Sequence, residues 1–156
     1  MATIKTWRIC APEYADVAYS GEGARIHGGR WNSKGRAVVY SSESISLAVL
    51  EQLVHTEDPM VLDAFVVVSA TLDEGSIELL APSSLPDDWR TYPAPSSLKE
   101  IGDAWLSEGR SLVLKVPSVT VKGQHNYLIN LTHSDFGSIE ASEPEALDLD
   151  PRITGL

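Results

Sequence analysis

The chain has 156 residues, a length that favours one domain of ordinary size. Hydrophobic residues make up 43% and charged ones 22%, the balance of a globular protein with a real core, which excludes general disorder. The formal net charge of −10 argues against nonspecific binding to nucleic acid or to anionic membranes, since both need a basic surface.

Residues Ile4 to Ile9 read as an opening strand, with Trp7 and Ile9 on one face and Arg8 on the other, ended by Ala11-Pro12. Glu13 to Tyr19 has room for one or two helical turns. From Ser20 to Gly35 glycines recur (Gly21, Gly23, Gly28, Gly29, Gly35), which predicts loop and tight turns whose backbone can approach a ligand closely. Ala37 to Ser41 is a short strand. Ser44 is a good N-cap for a helix from Ile45 to about His55, most of it apolar, with Glu51, Gln52 and His55 on one narrow arc beside Ala48. Such a helix is mostly buried, and its polar strip faces either a cleft or water.

Val61 to Leu72 is a continuous apolar run that predicts a central strand, and Ser76 to Leu80 predicts a short one. Pro82 to Pro95 holds four of the nine prolines and reads as a long surface excursion. Leu98, Ile101, Trp105 and Leu106 recur at helical spacing over Ser97 to Glu108, and Gly109 suits a C-terminal stop. Ser111 to Val116, Asn126 to Leu131 and Phe136 to Ala141 are further strands, and the tail from about 140 to 156 is acidic. Strands and helices do not alternate strictly. The pattern favours a single α+β domain over 1–156 with mixed or antiparallel sheets, rather than a doubly wound parallel fold.

The single cysteine, Cys10, forms no internal disulfide and reads as a buried, inert thiol. The four histidines (His27, His55, His125, His133) lack the short spacing of zinc ligands, so no metal is expected. The first residues lack the apolar core of a signal peptide, and no run nears the ~20 residues of a spanning helix; the expected location is the cytoplasm. No dinucleotide-binding glycine fingerprint follows a strand, and no Walker-type loop occurs.

Gly28-Gly29-Arg30-Trp31-Asn32, Tyr40 and Glu51 form the candidate site: a guanidinium from a turn, a phenol from a strand and a carboxylate from a helix. Each also has an ordinary structural reading, as a solvated turn arginine, a half-buried strand aromatic and the border of a helix's wet face. Around one pocket, arginine's planar fork clamps phosphate and tyrosine stacks on a flat ring. A carboxylate steadies a centre that becomes cationic. A dinucleotide losing its nicotinamide is such a substrate.

The order of several motifs is more specific than any one of them. Trp7-Arg8-Ile9, Gly29-Arg30-Trp31-Asn32, Val39-Tyr40-Ser41, Leu50-Glu51 with Val54-His55, Leu114-Lys115-Val116-Pro117-Ser118 and Asn126-Tyr127-Leu128-Ile129-Asn130 follow one another as in the RES domain family. The chain resembles that family, the toxin halves of bacterial RES–Xre toxin–antitoxin pairs, from about Trp7 to Phe136. The resemblance implies a fold similar to ADP-ribosyltransferase toxins, with NAD as substrate in a cleft between small sheets and no resident cofactor. It implies cleavage of the nicotinamide–ribose bond by hydrolysis or by phosphorolysis with inorganic phosphate, or ADP-ribosylation of a protein. Arg30 and Glu51 map onto the family's arginine and glutamate. Ser118, with Ser111 as the fallback, maps onto its serine. Tyr40 matches a tyrosine between the first two, and Arg8 an early arginine of the NAD pocket. Ser118 and Asn126 would hydrogen-bond ribose or amide. The implied partner is an Xre-type antitoxin over the active-site entrance. A noncatalytic module holding a nucleotide or peptide in the same cleft is the alternative of a different class.

Overall fold

A computed structural model describes residues 2–155. Eight strands form one sheet: β1 (Thr3–Cys10), β2 (Val39–Ser42), β3 (Val66–Asp73), β4 (Ile77–Leu79), β5 (Val113–Pro117), β6 (His125–Ile129), β7 (Glu140–Ala141) and β8 (Glu145–Ala146). Their order is β4-β5-β6-β2-β1-β3-β7, and β8 also pairs with β3. Every pairing is antiparallel except β4 with β5. The mixed, antiparallel-dominated α+β architecture expected from the sequence is present.

Pairing along this sheet is uneven. β1 pairs with β3 over its whole length, from Thr3↔Asp73 to Cys10↔Val66. It meets β2 at one position, Trp7↔Ser42. Beside that bridge the Thr6 hydroxyl donates to Ser41 Oγ (2.5 Å), which itself donates to the Tyr127 carbonyl (3.1 Å). The Arg8 guanidinium reaches across to the Tyr40 carbonyl. The sheet is therefore split between β1 and β2, with side-chain bonds rather than a ladder across the gap.

Helices α2 (Ile45–Leu53) and α3 (Ser96–Glu108) pack on the two halves. On one half α2 buries Ala48 and Val49 against Ile9, Val67, Leu62 and Leu147. On the other, α3 buries Leu98, Trp105 and Leu106 against Trp31, Leu114, Val116 and Leu128. The opposite face carries Val39, Leu72, Val113, Tyr127 and Ile129, packed by Tyr19, Leu131, Phe136 and Ile139. Ser44 caps α2 by accepting from the Leu47 amide (3.0 Å). Gly109, in the left-handed region at φ 62°, ends α3 with its amide on the Trp105 carbonyl.

Five expectations need correction. The strand predicted from Val61 begins only at Val66, because Pro59–Ala64 forms a 3-10 turn whose first amide, that of Met60, is capped by the Asp58 carboxylate (3.0 Å). Helix α2 stops at Leu53 rather than His55: the Thr56 hydroxyl takes the Gln52 carbonyl (2.8 Å) and the His55 amide bonds in a tighter turn. The glycine-rich stretch contains a short helix, α1 (Glu22–His27), stopped by Gly28 at φ 71°. Phe136–Ser138 is a 3-10 turn, and the acidic tail supplies β7 and β8, which cover the edge of β3, and α4 (Pro151–Thr154), which packs against the Pro59–Ala64 turn. Cys10 is half-buried rather than fully buried, and burial raises its thiol's pKa.

Candidate active site

The split opens into a cavity of about 1020 Å³, large for a small-molecule pocket and able to take a dinucleotide. Arg8, Arg30, Tyr40, Glu51 and Asn126 all line it.

Arg30 sits on a turn closed by the Gly29 amide on the Asn32 carbonyl (3.1 Å). The Tyr40 hydroxyl organises this turn: it donates to Asn32 Oδ1 (2.6 Å) and accepts from the Trp31 amide (3.0 Å). Asn32, fully buried, spends its amide on the carbonyls of Ala24 (2.9 Å) and Arg36 (3.0 Å). Gly29 is required for this approach, because a Cβ there would sit 2.6 Å from the Tyr40 oxygen. Burial pushes the Tyr40 phenol pKa well up, so it stays a neutral hydroxyl. Its ring can face a ligand, but its hydroxyl is committed to the turn.

The Arg30 guanidinium donates to the carbonyls of Trp89 (3.0 Å) and Thr91 (3.3 Å). Burial lowers its pKa, and the opposing influence is the charge of Glu51. The segment expected to be a plain surface excursion is thus a cavity wall, with Arg90, Tyr92, Pro93 and Ala94 along it.

Glu51 projects from α2 into three donors. Oε1 accepts from the Ser118 hydroxyl (2.6 Å) and the Asn126 amide (2.9 Å), and Oε2 accepts from the Thr120 hydroxyl (3.1 Å). Each carboxylate oxygen offers two lone pairs, so Oε2 keeps one for a ligand. The orientation is fixed one layer out. Ser42 donates to Asn126 Oδ1 (2.8 Å), turning the amide's NH₂ toward Glu51. The amides of Thr120 and Val121 both donate to Ser118 Oγ (3.1 Å each), which leaves its proton for the carboxylate. Ser118 is almost completely buried, and its hydroxyl reaches Glu51 rather than the cavity that Asn126 lines.

Arg8 is largely buried, which lowers its pKa, and its Nε has no hydrogen-bond partner among the described residues. A buried guanidinium with an orphaned donor beside a cavity is suited to an anion. Ser111 is not brought to the site. Its hydroxyl accepts from the Trp105 indole (2.8 Å) and contacts Glu78 Oε1 (3.3 Å), beside a separate small pocket with Arg110 and His133.

Sequence reasoning missed Thr120, Arg90 and Lys99. Thr120 lies two residues beyond Ser118 in one turn, a spacing that the sequence displays; Arg90 and Lys99 reach the cavity only through tertiary folding. Four of the 12 Lys and Arg residues line the cavity (Arg8, Arg30, Arg90, Lys99), against two of the 22 acids (Glu22, Glu51). The acidic protein is locally basic where its carboxylate stands. Among the described residues, no cluster of three or more potential metal ligands occurs, and no helix is long and apolar enough to cross a membrane.

The fold is shared with a solved structure. The structure matches one in the M. tuberculosis MbcT–MbcA toxin–antitoxin complex with a TM-score of 0.77, covering 99% of this chain and 88% of that one at 20% identity. Residues 5–150 match the RES domain, and the chain belongs to the RES domain family. It is 39% identical to a protein named Toxin Res from Yersinia enterocolitica, over 94% of this chain and 97% of the relative. It is 38% identical to the Prs ADP-ribosylating toxin of a Sphingobium species, over 97% of both.

Proposed function

We propose that this protein is the toxin of a toxin–antitoxin pair and that it cleaves the nicotinamide–ribose bond of NAD. The observation that carries the reading is the cavity's charge layout: a carboxylate held by three neutral donors, with two partly desolvated arginines on the same walls. Arg8 and Arg30 bind the diphosphate and hold the dinucleotide in the cavity. The Tyr40 ring packs against the nicotinamide. As the C1′–N bond breaks, its electron pair leaves with the ring nitrogen, so nicotinamide departs neutral and needs no general acid. The ribose becomes oxocarbenium-like, and Glu51 stabilises that charge while its free lone pair takes a ribose hydroxyl. Water, phosphate or a protein side chain then adds to C1′ and loses a proton.

Glycohydrolase and phosphorylase activities share this chemistry. ADP-ribosylation of a protein is the second reading, favoured by the 38% identical relative of that name. Purified protein is incubated with NAD, with and without phosphate, and the products are separated. Free nicotinamide appears, and Glu51→Gln lowers its release by about 10²–10³, the usual cost of one preorganised electrostatic contact, without unfolding the protein. A folded wild-type protein that releases no nicotinamide would sink the proposal and leave a noncatalytic binding module. The partner we propose is an Xre-type antitoxin, in keeping with the complex in which the structural neighbour was solved. Co-purification with the neighbouring gene's product checks it, and a chain that never associates with that product counts against it.

A further inference from the structure

One face of α3 is devoted to the turn that carries Arg30. Lys99, Gly102 and Asp103 stand at i, i+3 and i+4, the spacing that puts side chains on one helical face. The Lys99 ammonium donates to the Gly29 carbonyl and, at 3.4 Å, to the Asn32 carbonyl. Gly102 is buried against Trp31: a Cβ there would collide with the Trp31 carbonyl oxygen and sit 2.7 Å from its carbon. Asp103 accepts from the Ser33 amide at Oδ1 (3.0 Å) and from the Ser33 hydroxyl at Oδ2 (2.5 Å). Tyr40 holds the same turn from the sheet side, and the Asn32 side chain ties it to the Ala24 carbonyl of α1. Gly29, Trp31, Asn32 and Ser33 are thereby each held through a backbone group or packed carbonyl, and the Arg30 side chain leaves the turn for the cavity wall, where it also meets the Trp89 and Thr91 carbonyls.

Anchoring α3 does not need these contacts, because Leu98, Trp105 and Leu106 already bury the helix in the core. Among the described residues neither Lys99 nor Asp103 joins an ion pair. Both charges are spent on this one turn, Lys99 on its carbonyls and Asp103 on the backbone amide and hydroxyl of Ser33. Charge-assisted bonds to fixed dipoles restrict a backbone more tightly than neutral ones.

We propose that Lys99, Gly102 and Asp103 are positioning residues, a cradle that preorganises Arg30 for the anionic part of the substrate. The proposal rests on the reading of Arg30 as the diphosphate clamp. A clamp used equally in the ground and transition states shows itself in KM rather than kcat.

The test is a double-mutant cycle joined to amide hydrogen exchange. Asp103→Ala raises KM for NAD about tenfold, with kcat within about threefold of wild type. Asp103→Asn, which still accepts from the Ser33 amide, recovers part of the loss. Arg30→Ala raises KM further, and the double variant is no worse than Arg30→Ala alone, because the cradle acts through Arg30. Glu100→Ala, on the exposed side of the same helix, changes nothing. Without ligand, the amides from Gly29 to Ser33 exchange at least about tenfold faster in Asp103→Ala than in wild type, while the α3 core amides do not. Additive losses in the double variant, or unchanged exchange at the turn, would overturn the cradle. Exchange is read without NAD, so a wild type that ignores NAD defeats the proposed activity while exchange still decides the cradle. Should Asp103→Ala fail to fold, Asp103→Asn carries the same comparison.

Discussion

The two flanks of β1 are built for different ends. Toward β3 the strand is paired at eight consecutive positions and sealed by Ile9, Val67 and Leu62. Toward β2 it is paired at one, and past that point the Arg8 guanidinium reaches the Tyr40 carbonyl. The closed flank buries apolar surface and satisfies its backbone. The open flank leaves a buried arginine nitrogen unpartnered and a cavity lined with charge. Folding is driven on one side of the strand, and the binding chemistry is concentrated on the other.

Variants on the two flanks can break or sharpen that contrast. On the closed flank, Leu72→Ala removes a side chain that is 1% exposed and costs about 2–5 kcal/mol of stability. Denaturant melts report the loss, and NAD turnover per folded molecule stays at the wild-type rate; an equal fall in that turnover would blur the division. On the open flank the opposite pattern is expected. Arg8→Met removes a charge-assisted contact and raises KM for NAD by about 10- to 100-fold. Its stability stays within about 1 kcal/mol of wild type or improves, since a buried, partly unpaired charge is gone. A strongly destabilised Arg8→Met protein would mean that the strut holds the sheet together.

The two serines give a smaller contrast. Ser118→Ala takes one donor from Glu51 and lowers NAD cleavage about tenfold. Ser111→Ala leaves cleavage within about twofold and costs about 1 kcal/mol of stability, because the Trp105 indole loses its acceptor. Equal effects on cleavage would place the functional serine elsewhere. The smallest effect concerns pH. Desolvation, with Lys115 nearby and Glu43 opposing, lowers the pKa of His125, which lies at the start of β6 beside Glu43 and Pro117. The unfolded chain then binds the proton more readily, so this contribution is present above the ordinary imidazole pKa and is lost as pH falls through it toward the lowered folded value. The thermal midpoint should drop over that window, and His125→Gln should flatten the drop.

Much of this arrangement was legible in the residues. Ser44, Gly109 and the spacing of Leu98, Trp105 and Leu106 mark the main helices by local chemistry, and the structure agrees with them. Tyr40 and Glu51 stood out as polar groups in apolar segments, and both line the cavity. The Val61–Ala64 error has a local cause: a short apolar run looks the same in a strand and in a tight turn. The better signal was Asp58-Pro59, a capping carboxylate followed by a residue preset for a helical turn. The choice between Ser118 and Ser111 could not be made locally, since both flank β5 and only tertiary folding brings one of them to Glu51. The α3 cradle was hidden for the same reason: Lys99 and Asp103 look like an ordinary wet face until the turn they hold lies against them.

The basic cavity within an otherwise acidic chain has a kinetic consequence. A net-anionic substrate, dianionic at its diphosphate and cationic at its nicotinamide ring, is repelled at long range and attracted only on arrival, and added salt weakens the first effect sooner than the second, with a screening length of about 10 Å at 0.1 M. Substrate capture should therefore speed up as ionic strength rises from very low values, and slow again once the arginine contacts themselves are screened. A polycationic protein segment is instead drawn from afar to the acidic exterior and turned away only by the cavity itself, so dilute buffer favours a basic segment on the rim over the nucleotide inside.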